Sequence, residues 1–159
     1  MNADGFRHLY DYHFAINRKV WDSCVVPLTD AQFTQDIAYS VGSIGNQTVH
    51  MLNIDERWFC GLRGVEVPGF LDPLHFPTRA VVREHWDAVE ADMRAYLEAL
   101  RDDDLHRPLS EQFPHKVWQV LIHVLNHGTD HRAQMLAMLN QMGVETFPQD
   151  YALYLLGRL

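Results

Sequence analysis

The sequence predicts an all-α protein, a four-helix bundle, on three observations. Four long stretches place apolar residues three and four apart, the helical period. Two long connections separate them in pairs, and three histidines recur at a four-residue step inside the last stretch, as they do along one side of a helix. The length of 159 residues is that of one ordinary domain, taken here as 1–159, and can bury a core without disulfides or metals as staples.

The first helix is expected from about Ala3 to Cys24, with Phe6, Leu9, Tyr10, His13, Phe14, Asn17, Val20, Trp21 and Cys24 on its inner stripe. His13 and Asn17 project to the centre of that stripe. They are read either as an inward hydrogen-bonded pair or as part of the wall of an active cavity. Pro27 ends this helix, and Thr29 and Gln32 have capping-box spacing for a single helical turn. A second helix is expected from about Asp36 to Leu62, with Ile37, Val41, Ile44, Met51, Leu52, Trp58, Phe59 and Leu62 as its apolar face. Ser43, Asn46, Gln47 and His50 form a polar strip beside it.

Gly61 to Pro77 contains three Gly and three Pro and cannot be a long helix. Seventeen extended residues reach roughly 50 Å, more than the ~30 Å of a 20-residue helix, so this crossover leaves the third helix free to run parallel to the second. Thr78 caps the third helix, expected to about Asp103, with Val81, Val82, Trp86, Val89, Met93, Tyr96, Leu97 and Leu100 inward. Asp102, Asp103 and Asp104 read as a solvated end that opposes the helix dipole. After the connection Leu105–Pro114, the fourth helix runs from about His115 to Met142 and stops at Gly143. The apolar tail from Pro148 to Leu159 is expected to form a short helix, docked on the bundle or on a second subunit.

His123, His127 and His131 lie along one side of the fourth helix, but one ion cannot take all three. Residues eight apart are roughly 12 Å apart along the axis, against zinc–imidazole bonds of about 2.0–2.1 Å. The chelating pair is therefore His123 with His127 or His127 with His131. The second pair shares its arc with Val120, Val124, Met135 and Met138, whereas His123 falls at the edge. Buried imidazole nitrogens without partners cost on the order of 1–3 kcal/mol each, and a metal would satisfy both. His50 is the best candidate for a further ligand. Three neutral nitrogens suit Zn, Ni, Co or Fe(II) and leave coordination positions open for water or substrate.

Composition narrows the partners. Hydrophobic content of 47% and charged content of 21% are those of a soluble globular chain. Thirteen Lys and Arg against 21 Asp and Glu give a net charge of −8 with no basic block, which argues against nucleic acid and anionic membrane. No signal peptide or spanning segment is visible, so a cytoplasmic location is expected, with Cys24 and Cys60 as small buried thiols.

Ser43-Ile44 leading into His50, then Glu56-Arg57-Trp58, Trp118, and the run Leu121-Ile122-His123-Val-Leu-Asn126-His127-Gly-Thr-Asp-His131-Arg132-Ala-Gln134 closely resemble the DinB-like family. The ending, Gly143 through Pro148-Gln-Asp150-Tyr-Ala-Leu-Tyr154, resembles it too, so the likeness covers nearly the whole chain. The resemblance implies an up-down-down-up bundle, often a homodimer, with metal held by His50, His127 and His131 and with His123 at a position that is not a ligand. Characterised members of the wider superfamily are metal-dependent thiol transferases or isomerases that use low-molecular-weight thiols such as bacillithiol, mycothiol or glutathione. The implied activity is transfer of such a thiol, as co-substrate, to a small electrophile in stress or detoxification, with zinc or nickel as the divalent metal. In that reading His13, Asn17, Asn46, Gln47, His123 and Arg132 are candidates to contact substrate or orient ligands. Metal-dependent hydrolysis is the second enzymatic alternative, although no carboxylate falls in the histidine stripe. A non-catalytic metal- or ligand-binding bundle is the alternative from another class.

Overall fold

Four long helices form where the apolar stripes lie. The computed structural model describes residues 1–159. Helix α1 spans Ala3–Val20 and continues through a π-helical turn, Trp21–Val25; α2 is the short Asp30–Thr34, entered through the capping box of Thr29 and Gln32. Helix α3 spans Ile44–Arg63, α4 Arg79–Ala99, α5 Val117–Gln141 and α6 Tyr151–Leu155. Gly64, at φ 69°, closes α3 in a left-handed conformation that an L side chain would strain.

Cross-helix pairs establish the topology. Arg7 donates to the Leu97 and Leu100 carbonyls and Arg18 pairs with Glu90, so α1 and α4 are antiparallel. The Tyr10 hydroxyl donates to the Leu121 carbonyl and Arg132 donates to Asn17, so α1 and α5 are parallel. Gln47 meets His131 and Trp58 meets His123, which sets α3 against α5. Glu56 pairs with His85 and Arg63 with Asp92, so α3 and α4 run parallel, the arrangement that the crossover length permits. The bundle is therefore up-down-down-up. One apolar cluster draws on all four long helices, from Phe6 and Tyr10 to Leu52, Met93, Val124 and Met138.

Four boundaries or placements differ from expectation. The second helix begins at Ile44, not near Asp36, because Ser40 takes a positive φ of 54° and Gly42 one of 101°, conformations no helix contains. Ser43 then caps α3 by accepting the Asn46 N–H. The third helix stops at Ala99, and the acids after it are not a frayed helix end. Asp102 accepts the Ala3 N–H at 2.7 Å, satisfying a donor at the start of α1, and Asp104 accepts from the Arg101 backbone. Val81 is 38% exposed while Val82 is fully buried, since neighbours about 100° apart cannot both face the core. Cys24 is buried, but Cys60 is only half-buried. The tail docks on this chain itself, with Tyr151 and Tyr154 packed edge-on against Tyr12.

Candidate metal centre

The antiparallel register of α3 and α5 brings His50 against His127 and His131. One ring nitrogen from each of the three lies within 4.8 Å of the others. His50 Nε2 is 3.1 Å from His127 Nε2, and the His131 ring centroid is 4.4 Å from that of His50 and 4.2 Å from that of His127. His123 stands apart: it is exposed and packs edge-on against Trp58, with ring centroids 5.2 Å apart. Of the two pairs open on spacing, His127 with His131 is the one that meets His50.

Electrostatics keep this cluster neutral. His127 is lowered to about 3, first by burial and then by mutual repulsion with His131, His50 and His123. Burial also lowers His50, and burial followed by His50 lowers His131. Neutral imidazole is the metal-ligating form. A pH effect follows for the metal-free protein. An unfolded histidine titrates near 6.5, so as pH falls below about 6.5 the unfolded chain takes up protons that folded His127 refuses. Stability present above about 6.5 is therefore lost progressively toward about 3. The urea midpoint of the apoprotein is expected to drop between about pH 7 and about pH 5, and to drop less in His127→Ala. Equal slopes in both proteins would sink this assignment.

Gln47 braces the cluster. Its amide lies 2.8 Å from His131 Nδ1 and donates to the His131 carbonyl and to Gln134 Oε1, both at 3.2 Å. Ser40 completes the brace: its hydroxyl lies within hydrogen-bond reach of both Gln47 Oε1 and Gln134 Oε1, with one proton to share between them, so the unusual backbone of Ser40 delivers a side chain to the site. Partners that hold the outer nitrogen of a ligating histidine typically change metal affinity 10–100-fold. Gln47→Ala is accordingly expected to weaken zinc binding by about that factor in a competition titration, with the helix content unchanged. Asn46 does something else; its amide donates to the Val41 carbonyl and pins the segment before α3. Asp130 accepts from Gln134, and no carboxylate hydrogen-bonds any of the three imidazoles.

His13, Asn17 and Arg132 belong to a separate buried network. Arg132, 1% exposed, donates to His13 Nδ1 at 3.1 Å, to Asn17 Oδ1 at 2.8 Å, to Thr129 Oγ1 at 3.0 Å and to Gln149 Oε1 at 3.0 Å. A guanidinium can only donate, so His13 Nδ1 accepts from Arg132, while on the other side of the ring Nε2 lies 3.1 Å from the Asn17 side-chain amide and 3.8 Å from the Asp55 carboxylate. Burial lowers His13 and pulls Arg132 down to about 10. None of these residues hydrogen-bonds a triad imidazole, so they support the core between α1 and α5 rather than line the centre. This also explains Gly128. A Cβ there would lie 2.4 Å from His13 Cε1, and that ring is held by Arg132 and Asn17 and cannot give way. Asp55 was not among the expected site residues, although it shares the three-and-four spacing of Met51, Phe59 and Leu62; an acid inside an apolar stripe was the available signal.

The three histidines fit a metal. Their donor set is neutral nitrogen in chelating proximity, and His127 Nδ1 is buried with no hydrogen-bond partner, so the protein alone leaves this imidazole unsatisfied. The group can hold a divalent ion with coordination positions left open.

The model of the DinB family matches residues 1–157. The chain is similar to Protein DinB of Bacillus subtilis (strain 168), 29% identical over 158 residues that cover 92% of this chain and 91% of that one. Its fold resembles the crystal structure of a DinB-like protein from Bacillus cereus ATCC 10987, with a TM-score of 0.68 and 23% identity over 92% of this chain and 98% of that one. No helix is long and apolar enough to cross a membrane.

Proposed function

The chain belongs to the DinB family, and from that membership and its three convergent imidazoles we propose that it is a divalent-metal-dependent transferase of a low-molecular-weight thiol. The observation that carries this reading is the convergence of His50, His127 and His131, one ring nitrogen of each within 4.8 Å of the others, with one buried nitrogen left unpartnered. Zinc or nickel suits that donor set. Bound there, such an ion supplies one thing, stabilisation of the thiolate over the thiol. The chain's own part is to hold the ligands: Gln47 and Ser40 orient His131, and burial keeps His127 unprotonated. In the overall reaction a sulfur–carbon bond forms as the leaving group departs with its electron pair, and the thiol proton passes to solvent. The lack of a carboxylate on the triad disfavours metal-dependent hydrolysis, which needs a general base near the reacting water.

The test is conjugation of a thiol panel, including glutathione and bacillithiol, with 1-chloro-2,4-dinitrobenzene. The zinc- or nickel-loaded protein is expected to accelerate conjugation with at least one thiol, and apoprotein and His127→Ala are expected to be inert. Loaded protein that accelerates none of them would leave a non-catalytic metal-binding bundle.

A further inference from the structure

A second site lies along the same face of α3. His50, Ile54, Arg57, Trp58 and Gly61 follow one another at helical spacing, and beyond the first of them opens a cleft of about 600 Å³. That is within the range of small-molecule sites, roughly 300–1,000 Å³. Its walls are Ile54 and Trp58 of α3, Val67 and Phe70 of the crossover, and Leu109 and Phe113 of the segment before α5. Trp58 joins the cleft to the metal centre. Its ring packs against Phe113 at 5.4 Å on one side and against His123 at 5.2 Å on the other, and His123 is the neighbour of His127, at 6.0 Å between ring centroids.

The charge of this cleft is opposite to that of the chain. In a protein of net charge −8, no acid lines it, and Arg57 is its single cation. Arg57 pairs with no carboxylate, unlike Arg18, Arg63, Arg79, Arg83 and Arg94. Its guanidinium lies 4.1 Å from the Phe70 ring centroid and donates one N–H to the Pro68 carbonyl, which leaves further donors of its fork unused. Phe70 is 73% exposed and Phe113 41%, apolar area that a ligand would cover.

We infer that this cleft binds a flat, mainly apolar small molecule carrying one anionic group, its rings against Trp58, Phe70 and Phe113 and its anion on Arg57. That this molecule is the transferase's electrophilic substrate rests on the reading above; the binding itself does not.

The probes are 8-anilinonaphthalene-1-sulfonate and its uncharged analogue N-phenyl-1-naphthylamine, titrated by fluorescence into the full-length protein. The sulfonate is expected to saturate at about one per chain, and Arg57→Gln to weaken it about tenfold while leaving the neutral dye within about twofold, as loss of a charge-assisted hydrogen bond implies. Arg57→Lys, which retains the charge, is expected to keep most of the preference, and Phe113→Ala to weaken both dyes. Non-saturable binding, or equal effects of Arg57→Gln on the two dyes, would overturn the inference. His127→Ala separates the two readings: dye binding that survives in it while metal is lost supports the cleft, and dye binding that disappears with the metal overturns an independent site.

Discussion

Protein purified without a tag and reconstituted with zinc or nickel is expected to carry about one metal per chain, and His50→Ala and His127→Ala to carry none above background. The two variants remove ligands from different helices, so a shared loss identifies a site that only the folded α3–α5 pair creates. His123→Ala is the internal control. It lies in the same histidine run but faces Trp58, and its metal content is expected to match the unmodified protein. Stability reports the same event. A ligand at about 100 times its Kd adds about 2.7 kcal/mol, and each kcal/mol moves Tm by about 2–4 °C in a chain of this size. Excess zinc is thus expected to raise Tm by about 5–10 °C in the unmodified protein and by nothing in His127→Ala. Without metal the order of stabilities is expected to narrow or reverse, because His127→Ala removes a half-buried imidazole whose buried Nδ1 has no partner. Reconstituted protein without metal would end the metalloenzyme reading.

Arg132→Met is expected to destabilise by about 3–5 kcal/mol, the cost of breaking a buried charged network by removing one partner, and so to lower Tm by roughly 10 °C. The substitution strips donors from His13 Nδ1, Asn17 Oδ1, Thr129 Oγ1 and Gln149 Oε1 at once, and leaves buried Asp55 without a nearby cation. Arg132→Lys is expected to recover less than half of the loss. Nε, Nη1 and Nη2 of Arg132 point at different partners, and an ammonium on a flexible stem cannot reproduce that fork. Urea denaturation of the two variants checks this, with zinc affinity measured alongside. Near-normal stability with lost metal or thiol binding would return Arg132 to the site and refute the separation of the two networks.

Much of the architecture was legible in the chain. The three-and-four spacing of apolar residues located all four long helices, because a helix must bury one face to be stable whatever its neighbours are. The loop from Gly61 to Pro77 was legible as a crossover, since glycine and proline bar helix there and chain length bounds reach. The membership in a DinB-like family was legible in the run from Leu121 to Gln134. The start of α3 was not. Ile37 and Val41 continue the apolar period of Ile44, and nothing in periodicity reports that Ser40 and Gly42 adopt positive φ.

For the site, helical spacing by itself determined that His127 and His131 share a face, and that only two of the three histidines on α5 can serve one ion. Which residues stand across from that face was decided by tertiary structure, because a side chain's partner on another helix depends on the register and rotation of packed helices, and a one-dimensional period carries neither. The same reason separates Gln47 from Arg132. Both were orienting candidates in the reading that the family resemblance implies, but the step of about 100° from His131 to Arg132 turns the guanidinium into the core, toward His13 and Asn17 on α1. Gln47, far away in the chain, reaches the imidazole of His131 from α3.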